Sequence, residues 1–156
     1  SSTNEAVNQA LIEGAVGGIV AADCKIGRMT YWAANATVPV YEISFRIVMT
    51  NVSSKPVTLS GDNFATTLDG TPIPPFNFSA RDVGDADIWR TYDSLTIRPG
   101  EERSIALAYE ISQPTYDSWY KSSRTVAVSF TCGNQRVTYT KNSRSDEITV
   151  SDIETL

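Results

Sequence analysis

Histidine is absent from the 156-residue sequence. Without it the chain cannot build a Ser-His-Asp triad or a Cys-His pair, and it lacks the usual general base near neutral pH. Most zinc and copper sites also need histidine ligands. Chemistry that uses carboxylates alone remains open, but the sequence singles out no catalytic residue. We therefore expect a protein that is not an enzyme and that carries no cofactor.

Basic charge and long apolar runs are also scarce. The sequence has 13 Lys and Arg against 18 Asp and Glu, which gives a net charge of −5. Nucleic-acid binding needs lysine and arginine to neutralise phosphates, so we expect no nucleic-acid partner. No stretch approaches the roughly 18 consecutive apolar residues of a membrane span. The polar start, Ser1 to Asn4, has no signal-peptide pattern and resembles a mature N-terminus.

Two cysteines are present, Cys24 and Cys132. Their separation is too large for a metal knuckle or a redox C-x-x-C pair. We expect a disulfide between them, with two buried free thiols as the alternative. The bond would close a loop of about 100 residues and stabilise the fold by roughly 4–5 kcal/mol. It would also indicate an oxidising compartment, so we expect the protein to be extracellular or at the cell surface.

Apolar and polar residues alternate from Val40 to Met49, which predicts a half-buried strand. The pattern places Glu42, Ser44 and Arg46 on the face that meets water. The opposite face carries the large apolar residues of a core: Tyr41, Ile43, Phe45, Ile47 and Met49.

Further short strands follow, separated by turn signals. Turns are predicted at Asp69-Gly70, Pro99-Gly100 and Gly133-Asn134. The segment 95–97 is expected to pair with 105–111 across the Pro-Gly turn, whereas the proline-containing segment 70–93 is expected to be a long surface excursion. Eight or nine strands at this spacing predict an all-β fold, an immunoglobulin-like two-sheet sandwich over residues 23–156.

Residues 1–22 form an N-terminal extension in this interpretation. Ser2 and Glu5 match a capping box, which favours a helix over residues 3–13 followed by a strand near 16–22. The same residues also fit a single strand that could be donated to a neighbouring subunit. The candidate subunit-contact residues are Leu11, Ile12, Val16, Ile19 and Val20.

Aromatic residues in predicted loops form a candidate binding platform for a carbohydrate or a partner protein. The alternative is that they cap the ends of the core. Trp32, within a strand-like stretch, is expected to be a core residue. The platform candidates are Trp89, Tyr92, Tyr116, Trp119 and Tyr120.

Two kinds of modification or ion site are also suggested by short motifs. The Asn-x-Ser/Thr sequence occurs at Asn35, Asn51 and Asn77, in segments expected to be loops, so all three are candidates for glycosylation. An acidic cluster, Asp82, Asp85 and Asp87, is a weak calcium candidate because it lacks full ligand spacing, and the plain expectation is a solvated loop without metal.

The stretches Ile43–Asp69 and Leu95–Ile111 combine a strand ending in Thr-Asn, a Pro-Val-Thr-Leu strand and a Pro-Gly-Glu turn. This combination resembles immunoglobulin-like domains of secreted prokaryotic proteins, and it is similar in outline to the outer domains of archaeal surface filaments such as archaellins. Residues 1–23 depart from an archaellin because they are too polar and glycine-rich for its long apolar helix. The resemblance implies a subunit of a surface filament or envelope layer that associates with itself or with another surface protein. A binding module for carbohydrate or an envelope protein is the alternative.

Overall fold

The computed structural model describes residues 14–82 and 88–156. The helix expected over residues 3–13 and the residues Leu11 and Ile12 lie outside this part of the chain. The described strands are β1 (Ile19–Tyr31), β2 (Val40–Asn51), β3 (Val57–Leu59), β4 (Phe64–Leu68), β5 (Thr71–Ile73), β6 (Asn77–Asp82), β7 (Arg90–Thr91), β8 (Leu95–Ile97), β9 (Glu102–Glu110), β10 (Thr125–Cys132), β11 (Gln135–Asn142), β12 (Ile148–Val150) and β13 (Glu154–Thr155). A short helix, α1 (Gln113–Asp117), lies between β9 and β10.

The strands form two main antiparallel sheets. The five-stranded sheet has the order β1-β2-β9-β6-β7. The six-stranded sheet has the order β12-β11-β10-β4-β5, and β13 also pairs with β11. Strands β3 and β8 form a separate two-stranded ribbon. The predicted all-β, immunoglobulin-like sandwich is therefore confirmed.

The core lies between the inner faces of the two sheets. On β2 the inward residues Ile43, Phe45, Ile47 and Met49 are all buried, as the alternation predicted. The Phe45 ring lies 6.0 Å from that of Phe64 on β4 and 5.9 Å from that of Tyr139 on β11, measured between centroids. Burying each such side chain contributes about 1.5–3 kcal/mol, so this layer holds the sheets together.

The predicted turns are present where the sequence places them. Asp69 and Gly70 both have positive φ (51° and 83°) and join β4 to β5, as a type I′ hairpin turn requires. In the Pro-Gly turn the Glu101 amide donates to the Arg98 carbonyl at 2.9 Å, and Gly100 has φ 78°. Those values identify the type II turn that was expected.

Two predictions about the middle of the chain are wrong. The expected excursion over 70–93 contains β5, β6 and β7, and β6 pairs with β9 within the five-stranded sheet. The sequence pattern does not predict β6, because Phe78 and Ala80 are its only residues that contribute apolar side chains to the core. The segment 95–97 pairs with β3 instead of 105–111, because the Pro-Gly turn carries the chain from the ribbon into the five-stranded sheet.

The sandwich begins earlier than the expected boundary after residue 22. Strand β1 starts at Ile19 and pairs with β2 up to Tyr31. Val16 and Ile19 are buried in the core of their own domain, and half-buried Val20 lies opposite Thr50. The expectation that Val16 and Ile19 form a free subunit-contact strand is therefore wrong, since their side chains are already packed.

The expected disulfide is also absent, and both cysteines are free thiols. Cys132 lies at the β10–β11 hairpin, where its Sγ is 3.8 Å from the Gly17 carbonyl. Cys24 lies beside Tyr139, which is opposite Val128, four residues back along β10. That offset corresponds to about 13 Å along the strand, beyond the reach of a disulfide. Burial raises the pKa of the Cys24 thiol to about 12, so the thiol stays protonated.

The side chain of Asn51 is buried and fully hydrogen-bonded within the fold, which conflicts with its expected glycosylation. Its side chain is buried at the end of β2. The amide nitrogen donates to the carbonyls of Lys55 and Ile97, both at 2.8 Å, and the amide oxygen accepts from the Ser53 amide at 2.9 Å. A glycan cannot be attached to this nitrogen in the folded chain. Asn35 is exposed in a loop, as expected, but Asn77 opens strand β6.

We expect Asn51→Ala to destabilise the protein by about 2–4 kcal/mol, because several buried backbone groups would lose their partner. Urea unfolding followed by circular dichroism measures this change. Asn35→Gly is the matched control: it removes another Asn-x-Ser/Thr motif and keeps a residue suited to the positive φ of 63°. The control should change stability by less than about 0.5 kcal/mol. Equal effects of the two substitutions would contradict the stabilising role of the Asn51 hydrogen bonds.

Candidate functional site

A groove of about 470 Å³ crosses the outer face of the five-stranded sheet. Its floor is formed by short side chains that the strand register brings side by side: Ser44 on β2, Ala106 and Ala108 on β9, and Ser79 on β6. These residues alternate with the large inward residues of the same strands, so the groove and the core are the two faces of one sheet. We call this feature the outer-face groove.

Bulky side chains form the two walls of the outer-face groove. Met29 and Tyr31 lie on β1, and Phe76 and Trp89 lie beside β6 on the other side. Three strand spacings separate β1 from β6, so the walls stand on backbones about 14 Å apart. Tyr31 and Phe76 are 49% and 52% exposed, which leaves their rings accessible to a ligand.

One end of the groove contains a buried carboxylate. Glu42 lines the groove and is only 4% exposed, although the alternation of β2 predicted a residue in water. The alternation places Glu42 on the correct face of β2 but does not predict its burial, because the groove walls cover this position. No hydrogen bond from a described residue reaches the Glu42 carboxylate, whose oxygens are not fully enclosed and open onto the groove. Desolvation raises the pKa of Glu42, and the charge of Glu110, its register partner on β9, raises it further.

The other end of the groove is basic. Arg46 is four residues along β2 from Glu42, on the same face, at a distance of about 13 Å. Its guanidinium carbon lies 5.4 Å from the centroid of the Trp89 ring, and that of Arg81 lies 4.8 Å from the same ring. The groove therefore carries opposite charges at its two ends, with a carboxylate at one end and a guanidinium at the other.

The aromatic residues expected to form one platform are dispersed. Trp89 lies in the outer-face groove, whereas Tyr92 is half-buried and packs against the core. Trp119 is 1% exposed, so its assignment to a binding surface is wrong and the core alternative applies to it. Tyr116 and Tyr120 lie far along the chain, in α1 and the loop that follows it.

Tyr116 and Tyr120 instead hold an arginine of their own chain. The Arg28 guanidinium carbon lies 4.4 Å from the Tyr116 ring centroid and 4.7 Å from that of Tyr120. Arg28 also donates a hydrogen bond to the Tyr116 carbonyl at 2.6 Å. The exposed face left to this pair is mainly that of Tyr120, which is 60% exposed.

Sequence reasoning missed most of the groove. Trp32, which was expected in the core, is 60% exposed at the end of β1, and its neighbour Tyr31 forms part of a wall. A signal was nevertheless present: the outward positions of β9 carry Ser104, Ala106 and Ala108 in place of long charged side chains. Short side chains on an outer face leave open space between longer neighbours, and here that space is the groove.

The calcium candidates Asp85 and Asp87, and the side chain of Asp82, lie outside the part of the chain that the structure describes. Within the described residues, no three acidic or cysteine side chains lie close enough to hold a metal ion. In residues 14–82 and 88–156, no helix is both long and apolar enough to cross a membrane.

Comparison with known proteins identifies solved structures but no family. No protein-family model matches the chain, and no curated protein matches it. The YjhA protein of Bacillus subtilis is 16% identical, with 72% of this chain and 73% of that chain covered and a TM-score of 0.45. An uncharacterised β-sandwich protein of Clostridium difficile 630 is 14% identical, with 78% and 83% covered and a TM-score of 0.48. A protein of Archaeoglobus fulgidus is 12% identical, with 86% and 98% covered and a TM-score of 0.37. Likeness at this level assigns no activity.

We expect Glu42→Gln to stabilise the protein at pH 7 and to have little effect at pH 4. The folded pKa of Glu42 lies above its ordinary value of 4.5. The stability contributed by its neutral form is therefore complete below the unfolded pKa and is lost as pH rises through the folded pKa. Glutamine keeps the shape without the charge, and a gain of about 0.5–2 kcal/mol is expected at pH 7.

Urea unfolding of both proteins at pH 4 and pH 7 measures this difference. Glu110→Gln is the control. Glu110 is exposed, so its substitution removes only the charge repulsion on Glu42. Its effect at pH 7 should be smaller. A Glu42→Gln variant that is less stable than the wild type at pH 7 would show that the carboxylate has a stabilising partner.

Proposed function

We propose that the protein is an extracellular, non-enzymatic binding module whose outer-face groove takes a carbohydrate chain. The observation that carries this proposal is the row of Ser and Ala side chains where an exposed sheet face usually carries long polar residues. These short residues leave about 470 Å³ open between aromatic walls. Ligand sites typically occupy about 300–1,000 Å³.

The lining of the groove has the chemistry that sugar rings need. A sugar ring has apolar C–H faces and hydroxyl edges, and the exposed rings of Tyr31 and Phe76 offer flat apolar surfaces against such faces. Between the walls, Ser44 and Ser79 provide hydroxyls and Asn77 provides an amide, all of which can exchange hydrogen bonds with sugar hydroxyls. This mixture favours a carbohydrate over a purely apolar ligand.

An extracellular location is supported by the resemblance to immunoglobulin-like domains of secreted prokaryotic proteins. The two free thiols give it no support, because the expected disulfide was the argument for an oxidising compartment. Asn35 remains a site where a glycan could be carried, since it is exposed. The binding proposal requires Asn77 to be unmodified, because a glycan on Asn77 would enter the groove that it lines.

A subunit of a surface filament or envelope layer is the second candidate, and one observation favours it. Strand β1 is 13 residues long and lies at the edge of the five-stranded sheet. In the described part of the chain no other strand pairs with its outer edge, and such an edge can accept a strand from another subunit. The register shift between Ala22 and Lys25 limits the regular part of this edge. Electron microscopy of the concentrated protein tests this candidate, which predicts ordered polymers, whereas monomers throughout would count against it.

We expect Ala108→Phe and Tyr31→Ala to weaken carbohydrate binding by at least about tenfold, which corresponds to about 1.4 kcal/mol. The first substitution fills the floor of the groove, and the second removes a stacking wall. Binding is measured by calorimetry against a panel of neutral, amino and acidic tetrasaccharides.

Tyr120→Ala is the matched control, because Tyr120 is an exposed tyrosine outside the groove. It should bind the panel as the wild type does. Thermal unfolding of each variant verifies that the fold is kept. The proposal fails if no tetrasaccharide binds, or if Ala108→Phe binds as tightly as the wild type.

A further inference from the structure

We infer that the carbohydrate carries a free amino group, and that Glu42 and Glu110 together form the subsite that holds its ammonium. This inference rests on the proposed function of the outer-face groove and specifies the class of sugar. It is carried by a buried carboxylate that has no partner in the described chain and that lines an open groove.

The first observation is the state of Glu42. A carboxylate removed from water is costly unless it is paired or hydrogen-bonded. Glu42 is 4% exposed, no hydrogen bond from a described residue reaches its carboxylate, and its oxygens are not among the fully enclosed polar atoms, so they open onto the groove. Its two oxygens can accept about four hydrogen bonds when ionised, so the position has unused capacity that faces the groove.

The second observation is the position of Glu110. Glu42 and Glu110 lie directly opposite each other on β2 and β9, so their side chains leave the sheet on the same face. Like charges in this arrangement destabilise a sheet, and the charge of Glu110 raises the pKa of Glu42. A cation placed between the two carboxylates would reverse both effects. The arrangement therefore gains most from a positively charged ligand.

The described chain supplies no cation of its own to this place. Arg28 is the nearest basic residue on β1, but it stacks between Tyr116 and Tyr120 and donates to the Tyr116 carbonyl. Arg46 lies about 13 Å away along β2, beside Trp89. The register partner of Glu42 on β1 is Met29, which carries no charge.

An ammonium fits better than a metal ion. Two carboxylates are too few for the six to eight oxygens that calcium prefers, and no third acidic side chain joins them among the described residues. The Tyr31 ring lies on the same face of β1 as Met29, two residues further along, and an aromatic ring attracts an ammonium placed over it. An amino sugar presents both an ammonium and a ring that can stack.

Calorimetry with two tetrasaccharides of the same ring number tests the inference: the glucosamine tetramer and its fully N-acetylated counterpart. We expect the wild type to bind the glucosamine tetramer at least about tenfold more tightly at low ionic strength. Glu42→Gln should weaken its binding by about tenfold, so that the difference between the two tetramers disappears. Glu110→Gln should have a smaller effect in the same direction. Because Glu42→Gln is expected to be at least as stable as the wild type, lost binding would not reflect unfolding.

The inference is overturned if the acetylated tetramer binds as tightly as the glucosamine tetramer, or if Glu42→Gln keeps the difference between them. In either case tetrasaccharide binding that Ala108→Phe abolishes would leave the proposed function standing. Tetralysine serves as a cation without sugar rings. If it binds as tightly as the glucosamine tetramer, the ligand is a basic peptide and both proposals fall, as they do if no sugar of any class binds.

Discussion

The structure depends on the pairing of β2 with β9, in which side chains of opposite size occupy the two faces. Residues from Glu42 to Thr50 lie opposite residues from Glu110 to Glu102 in one unbroken antiparallel register. The inward residues are large and close the core against the six-stranded sheet, while most outward residues between the two ends are short. A shift of β2 by one residue against β9 would exchange the faces of β2, exposing Phe45 and burying Arg46. The hydrophobic effect therefore fixes the register, and the register in turn aligns the floor of the groove.

The acidic end of the groove is locally unfavourable for the folded state, because two carboxylates lie next to each other there. In a sheet built for stability alone, two glutamates would not face each other across neighbouring strands, and neither would be covered by bulky side chains. Functional sites are where such unfavourable arrangements are retained, because a ligand can relieve them. Asn51 illustrates the opposite case: it is equally buried, but every hydrogen-bonding group of its side chain has a partner, and it serves the fold.

The sequence predicted what depends on period and local backbone, and failed where distant packing decides. The alternation of β2 and the turns at Gly70 and Gly100 follow from side-chain spacing and positive φ, and all were confirmed. Strand β6 was not predicted because its own apolar pattern is weak, and its place in the sheet depends on its pairing with β9. The same limit explains Glu42: a period of two gives the face of a residue but not what covers that face. The disulfide prediction failed for the same reason. The strand-like segments around Cys24 and Cys132 do not show how far apart the two residues lie across the sandwich.

The two proposed roles use different parts of the five-stranded sheet, so one does not exclude the other. Strand addition at the outer edge of β1 would take place in the plane of the sheet, through backbone hydrogen bonds. The groove lies on the face of the sheet, and its wall residues Met29 and Tyr31 project from that face of β1. An added strand would extend the wall instead of covering the floor. A polymer built on β1 would consequently display one groove per subunit, each with its Glu42 end pointing the same way along its own β2. Weak single-site binding to a repeating polysaccharide would then be strengthened by multivalency.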